Sequence, residues 1–92
     1  MAEQSGNAPA ASLQVDACGL KCPLPILRTK KALAQIAGGE RVEVFATDPH
    51  ALGDFEAFCR QTGHALLTWE ETDGRFRFVL QKRDEPGSTG LG

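Results

Sequence analysis

The stretch of this sequence best suited to chemistry runs from residue 16 to residue 25 and reads Asp-Ala-Cys-Gly-Leu-Lys-Cys-Pro-Leu-Pro. It holds Cys18 and Cys22, two of the three cysteines of the chain. The thiolate of a cysteine is a nucleophile, so this stretch favours thiol chemistry. Proline is tolerated in the first turn of a helix, so Pro23 and Pro25 predict a helix that begins here with Cys22 as its N-cap.

The position of Cys22 predicts an activated thiol. Free N–H groups and the positive end of a helix dipole stabilise an anion, which lowers the pKa of a cysteine placed there. Between Ala17 and Gly39 the chain has no Asp or Glu, and its basic residues are Lys21, Arg28, Lys30 and Lys31. The same donors and cations would stabilise an anionic persulfide. The residues therefore fit a cysteine that accepts sulfur and passes it on, and they also fit one that merely caps a helix.

Two strands and one helix are predicted in the first half of the chain. Polar and apolar residues alternate over 12–16 and over 41–46, as they do in half-buried strands. Between these strands a helical period covers 25–37, and the glycines that follow it end the helix. Its predicted apolar stripe consists of Ile26, Leu27, Leu33, Ala34 and Ala37.

The second half predicts one more helix and a hairpin. Asp48 is the predicted capping residue, Pro49 takes the first helical position, and Gly63 ends the helix. The apolar stripe of this helix is Ala51, Leu52, Phe55, Phe58 and Cys59. Strands at 65–71 and 75–81 flank a Thr-Asp-Gly turn. The order βαβαββ predicts an α+β fold, a two-layer sandwich in which both helices cover one face of a mixed four-stranded sheet.

The chain as a whole predicts one small domain, because 92 residues suffice for a single two-layer core. We expect it at 11–83, between disordered tails at 1–10 and 84–92 that are rich in small and polar residues. Ten basic and twelve acidic residues produce no field that would draw the protein to nucleic acid or a membrane. An odd number of cysteines, no signal peptide and no long apolar run predict a cytoplasmic protein.

The motif Asp16-x-x-Gly19-x-x-Cys22-Pro23-x-Pro25 resembles the signature of the TusA/SirA family of small sulfur-carrier proteins. The likeness continues through Thr47-Asp48-Pro49, Asp54-Phe55-x-x-Phe58-Cys59 and Gly63-His64-x-Leu66 to the closing hairpin. It implies a two-layer βαβαββ sandwich. It also implies a sulfurtransferase, in which a cysteine takes up sulfane sulfur as a persulfide and relays it. By this resemblance the catalytic residue is Cys22.

The residues predicted to support the loop of Cys22 are Asp16, Gly19, Lys21, Pro23, Pro25 and Arg28. Asp16 is expected to tie the loop by side-chain hydrogen bonds, and Gly19 to permit its bend. Lys21 and Arg28 are expected to hold negative charge. No metal is implied, and no cofactor beyond the transient persulfide sulfur on Cys22.

The partners that the resemblance implies are proteins. They are a cysteine desulfurase or rhodanese-type sulfur donor and a downstream relay or acceptor protein, for example in tRNA 2-thiouridine synthesis. The motif does not separate this branch from those of molybdenum-cofactor supply, sulfur oxidation and selenium metabolism. No membrane partner and no strong direct nucleic-acid binding are expected.

Two other interpretations stay open at this point. The exposed loop and the basic helix also suit a non-catalytic interaction or regulatory module, in which the cysteine has no chemical role. Cys18 and Cys22 together suit a thiol redox switch. The docking module predicts that Cys22→Ser keeps both binding and biological effect, whereas the redox switch predicts that Cys18→Ser alone loses the response to mild oxidation.

The remaining candidates are assigned to structure. Cys59 falls on the apolar stripe of the second helix, where cysteine behaves as a small core residue. Trp69 and the five phenylalanines fit core positions. The spacing of His50 and His64 ties neither residue to Cys22, so neither a protease-like dyad nor a zinc site is indicated.

Overall fold

A computed structural model describes residues 11–84 and contains six elements in the predicted order. They are β1 (Leu13–Ala17), α1 (Leu24–Leu33), β2 (Arg41–Ala46), α2 (Ala51–Thr62), β3 (Ala65–Thr72) and β4 (Arg75–Gln81). The α+β class is therefore confirmed. Apart from Asp84, the predicted tails lie outside the described residues, and the domain boundaries stay a prediction. Within residues 11–84, neither helix has the length and apolar composition needed to cross a membrane.

The sheet places the ends of β1 and β2 side by side. The strand order is β1-β2-β4-β3, with β1 parallel to β2 and β4 antiparallel to both of its neighbours. Val15 pairs with Val44 and Ala17 with Ala46. Because β1 and β2 run parallel, the loops that follow them leave the same edge of the sheet and meet there.

One face of the sheet and both helices enclose the core. Alternate residues of β4, namely Phe76, Phe78 and Leu80, are buried there as predicted, and Phe55 of α2 stacks on Phe78 with ring centroids 4.6 Å apart. Trp69 was predicted to be buried, but it is 42% exposed. The reason is that β3 is an edge strand, so Trp69 has a neighbouring strand on one side only.

Phe45 also differs from its predicted core position. It alternates with Val44 and Ala46, which are both fully buried, so it lies on the opposite face of the sheet. There the guanidinium of Arg75 stacks over the Phe45 ring, 4.3 Å from the centroid. Of the five phenylalanines, the other four are buried, at positions 55, 58, 76 and 78.

The predicted bounds and buried face of α1 were partly wrong. The helix ends at Leu33, not at residue 37, because the next turn tightens into i to i+3 hydrogen bonds and Lys82 Nζ donates to the carbonyl of Ile36 at 2.8 Å. The buried residues of this region are Pro25, Thr29, Ala32, Leu33 and Ile36. Thr29 can lie in the core because its hydroxyl donates to Pro25 O at 2.9 Å. Of the predicted stripe, Leu27, Ala34 and Ala37 are exposed.

The predicted start of α2 was wrong by two positions, whereas its end was correct. The N-cap is His50, not Asp48, because the Asp48 carboxylate accepts the N–H of His50 and so forms a turn before the helix. The predicted apolar residues Ala51, Phe55, Phe58 and Cys59 are buried, and Leu52 is half-buried. Gly63 is the C-cap, and its N–H donates to Cys59 O at 2.9 Å.

Candidate functional site

Cys22 lies in the loop between β1 and α1, and its side chain is exposed. It lines a cleft of about 470 Å³ between this loop and the loop that joins β2 to α2. The residues that line the cleft are Gly19, Leu20, Lys21, Cys22, Thr47, Asp48, Pro49 and His50. A second protein can therefore reach the sulfur from solvent. A larger cleft of about 580 Å³ lies at the other end of the two helices, away from Cys22.

The loop of Cys22 is shaped by its own residues. The side chain of Asp16 ties it as predicted, since Oδ1 accepts the N–H of Cys18 at 3.1 Å. This bond lowers the pKa of Asp16. Gly19 has a φ of +82°, a conformation that L side chains rarely adopt, so the bend needs glycine here. The Cys22–Pro23 peptide bond that follows is cis.

The neighbouring loop holds the Cys22 loop from the side. Thr47 Oγ1 accepts the N–H of Gly19 at 2.8 Å, and Asp48 Oδ2 accepts the N–H of Cys22 at 2.8 Å. The other oxygen of Asp48 accepts the N–H of His50 at 3.0 Å. The N–H groups of His50 and Cys22 lower the pKa of Asp48. The buried carboxylate of Asp48 is thus ionised and fixes the backbone of the reactive residue.

The helix does not provide the predicted anion site for the sulfur. Pro23, not Cys22, is at the N-cap position of α1, because the chain turns into the helix one residue later than expected. Pro23 and Pro25 contribute no N–H groups. The N–H of Leu24 donates to Lys21 O, and that of Cys22 itself donates to Asp48. The prolines that shape this turn therefore also reduce the number of donors available to an anion.

The charges that act on the Cys22 thiol are negative. Hydrogen bonding with Asp54, in the first turn of α2, desolvation and the negative charges of Asp54 and Asp48 raise the pKa of Cys22. The predicted lowering was wrong, because a segment distant in sequence brings acidic groups to a loop that has none of its own.

The predicted basic neighbourhood is spread over the surface. Lys21 lines the cleft of Cys22. Arg28 instead lies with Lys31 in a groove beside β1, where its charge helps to lower the pKa of Asp16. Lys30 lines the larger cleft at the far end of the helices. Among the predicted cations, only Lys21 therefore lies in the same cleft as the thiol.

The three cysteines, all in the described part of the chain, have different surroundings. Cys22 is exposed, Cys18 is half-buried and Cys59 is buried. Burial raises the pKa of Cys59 to about 11, which agrees with its predicted place in the core. Cys18 and Cys22 are both free thiols.

Four polar residues near Cys22 were not assigned to the site from the sequence. Thr47 and Asp48 accept N–H groups of the Cys22 loop, His50 lines the same cleft, and Asp54 raises the pKa of Cys22. The signal that could have found them is topological. Both segments directly follow parallel strands that neighbour each other, so their residues meet at one edge of the sheet.

Comparisons with known proteins identify the family of this chain. The profile of the family described as Sulfurtransferase TusA matches residues 13–82. A relative from Neisseria meningitidis serogroup A is 62% identical over 69 residues, which cover 75% of this chain and 93% of the relative. The sulfur carrier protein TusA of Allochromatium vinosum is 48% identical over 69 residues, covering 75% of this chain and 91% of its own.

A solved structure shows the same fold. The crystal structure of a SirA-like protein from Desulfitobacterium hafniense superposes with a TM-score of 0.68 at 26% sequence identity. The match covers 78% of this chain and 99% of the other. Since the family profile spans nearly all of the described residues and relatives of high identity are matched over most of their length, the chain belongs to the TusA/SirA family of sulfur carrier proteins.

Proposed function

We propose that this chain is a sulfurtransferase of the persulfide-carrier type, which accepts sulfane sulfur on Cys22 and passes it to an acceptor protein. The observation that carries the proposal is the exposure of this one cysteine in a cleft, while Cys18 is half-buried and Cys59 is buried. Transfer between two proteins needs a sulfur atom that a second active site can reach. Membership of a family of sulfur carriers supports the same role.

The transfer is a thiol exchange at sulfur. In loading, the thiolate of Cys22 attacks the outer sulfur of a donor persulfide, and the S–S bond of the donor breaks. The donor cysteine leaves as a thiolate and takes up a proton equivalent to the one that Cys22 released. Release is the same reaction with a cysteine of the acceptor as the attacking group. The sulfur travels on Cys22, so the reaction needs no resident cofactor, no oxidant and no reductant.

The partners that fit this chemistry are two proteins used in turn. The donor presents a persulfide, as a cysteine desulfurase or a rhodanese-type protein does, and the acceptor is a relay protein or an enzyme that uses sulfur. Leu24 and Leu27, just after Cys22, are each 47% exposed and give a partner an apolar surface to contact. Thiolation of tRNA in the cytoplasm is one destination for the sulfur.

Intact-protein mass spectrometry tests the proposal. The protein is incubated with a cysteine desulfurase and cysteine, and the mass is recorded before and after reduction. We expect a reducible gain of one sulfur atom in the wild type, in Cys18→Ser and in Cys59→Ser, and none in Cys22→Ser. Sulfur gain that survives in Cys22→Ser, or no gain in any variant from desulfurase and rhodanese donors, would reject the role of Cys22.

The exposed leucines also favour a second candidate, a docking module without sulfur chemistry. Their side chains lie one turn apart at the start of α1 and would contact a partner whether or not Cys22 reacts. The two functions differ in one variant. A docking module retains its complex and its biological effect in Cys22→Ser, whereas a sulfur carrier retains at most the complex.

A further inference from the structure

One carboxylate connects Cys22 to His50. Asp48 Oδ2 accepts the N–H of Cys22 at 2.8 Å, and Asp48 Oδ1 accepts the N–H of His50 at 3.0 Å. Two N–H groups that bind the two oxygens of one carboxylate lie at most about 8 Å apart. Cys22 and His50 also line the same cleft of about 470 Å³. The structure therefore makes a cysteine and a histidine from different loops neighbours in one cleft.

Asp48 also orients the imidazole ring of His50. Nδ1 of the ring lies 3.2 Å from Asp48 Oδ1. The backbone N–H groups of His50 and Cys22, and then this ring, lower the pKa of Asp48, so its carboxylate is ionised at neutral pH. An ionised carboxylate only accepts hydrogen bonds, so Nδ1 carries the proton of the neutral imidazole and Nε2 can accept another. The side chain of His50 is 81% exposed and can exchange that proton with solvent.

The thiol of Cys22 must lose its proton before or during the attack on a donor, because the thiolate is the nucleophile. Hydrogen bonding with Asp54, desolvation and the negative charges of Asp54 and Asp48 raise the pKa of this thiol. Little thiolate is then present at neutral pH, so a base that removes the proton increases the rate. Histidine suits this step, because its charge ordinarily changes between about pH 5 and pH 8.

We propose that His50, oriented by Asp48, is the general base that takes the proton of Cys22 when sulfur is loaded. This role rests on the proposed function, because it assumes that Cys22 attacks a donor persulfide. The cleft also contains Lys21, and Asp54 lies in the first turn of α2. Neither suits the step as well, because a lysine is ordinarily protonated at neutral pH and a carboxylate is a much weaker base than an imidazole.

The proton and the sulfur move in opposite directions. Nε2 of His50 takes the proton of the Cys22 thiol as this sulfur attacks the outer sulfur of the donor persulfide. The S–S bond of the donor breaks, the outer sulfur becomes bonded to Cys22, and the donor cysteine leaves as a thiolate. The imidazolium of His50 then gives the proton to that thiolate. Atoms, charge and electrons balance without a further reagent, and His50 returns to its neutral form.

The test compares His50→Gln with His64→Gln, a matched control that replaces the histidine of the larger cleft away from Cys22. Glutathione persulfide is the donor, and the loading rate is read from the intact mass between pH 6 and pH 10. His50→Gln should load about ten- to a hundredfold more slowly than the wild type at pH 7. The difference should narrow as the pH rises, because Cys22 then ionises without a base. His64→Gln should keep the wild-type profile.

A second readout replaces the missing base. Imidazole added to His50→Ala should restore part of the loading rate at pH 7 and should leave the rate of the wild type unchanged. The His50 side chain makes no capping hydrogen bond to α2, and far-UV circular dichroism checks that the variants are folded.

Three results would overturn the role of His50 while leaving Cys22 as the carrier residue. They are an unchanged rate in His50→Gln, a loss of equal size at every pH, as a merely structural role would cause, and a lack of rescue by imidazole. No loading of the wild type at any pH would overturn both proposals.

Discussion

At the scale of single residues, Asp48 connects the reactive loop to the loop that follows β2. It is buried, and its carboxylate accepts the N–H groups of Cys22 and His50. These bonds lower its pKa in the folded state. A carboxyl group with a lowered folded-state pKa adds stability above its unfolded-state value of about 3.9, and this stability is lost as the pH falls through the folded-state value.

We therefore predict that Asp48→Asn makes the protein less stable at neutral pH and less sensitive to acid. The amide does not titrate, so the variant should lose less stability than the wild type between about pH 7 and about pH 3. The urea midpoint measured at both values checks this. Asp73→Asn, in the β3–β4 turn, is the control for loss of one charge. If Asp48→Asn and the wild type lose equal stability, Asp48 does not stabilise the fold through its ionised form.

The residues of the site could be predicted from the sequence only where they are close to Cys22 in the chain. The motif identified Cys22, and the hydrogen bond of Asp16 and the bend at Gly19 follow from short-range rules. The direction of the Cys22 pKa could not be predicted from the local sequence. It depends on the carboxylates of Asp54 and Asp48, which belong to the segment that follows β2, the parallel neighbour of β1.

At the scale of elements, the β3–β4 turn is the most sharply defined by local sequence. Asp73 and Gly74 form a two-residue loop with φ angles of +53° and +81°, as the tight hairpin turns require. Asp tolerates a positive φ better than most residues, and Gly tolerates it at no steric cost. This explains why the hairpin could be predicted from three residues.

We predict that two Gly→Ala substitutions have opposite effects on stability. Gly74→Ala should lower the free energy of unfolding by about 1–2 kcal/mol, because alanine is strained at this φ. Gly53→Ala, in an exposed position of α2 with open space around the added methyl, should raise it by about 0.5–1 kcal/mol. Urea denaturation of both variants measures the two changes. A stabilising Gly74→Ala would mean that the turn adopts another conformation.

The start of each helix was harder to predict than its existence. Proline and aspartate are residue types typical of helix starts, and they predicted Cys22 and Asp48 as the N-caps. The observed N-caps are Pro23 and His50. The side chain of Asp48 is used between loops and not within its own helix. No local sequence pattern could predict this contact, because the N–H that Asp48 accepts belongs to Cys22, in the loop between β1 and α1.

At the scale of the whole molecule, buried and exposed residues alternate along the strands. This alternation explains why the fold could be predicted and why one face of the sheet is polar. The residues that alternate with the core positions form a charged row across the open face of the sheet. Gln14 donates to Glu43 at 2.7 Å, and Arg77 pairs with Glu43 and with Glu70. These side chains of the open face pair with one another, whereas the opposite face is apolar and is covered by both helices.

The last prediction concerns the stability of the whole domain, to which the contact of Phe55 with the sheet contributes. Phe55 is fully buried and stacks on Phe78, which joins α2 to the middle of the sheet. Phe55→Ala should lower the free energy of unfolding by about 3–5 kcal/mol, a large part of the total stability of a domain of this size. It should also disturb the site, because Asp54 is the preceding residue on the same helix.

Trp69→Ala is the matched control for loss of an aromatic side chain. Trp69 is larger than Phe55 but is 42% exposed at the edge of the sheet, so less of its surface leaves solvent on folding. We expect it to cost less than half as much as Phe55→Ala in the same urea titration. Equal losses would show that the edge strand contributes as much as the contact between helix and sheet. A larger loss at Phe55 would show instead that the packing of α2 on the sheet, and not the edge strand, supplies most of the stability.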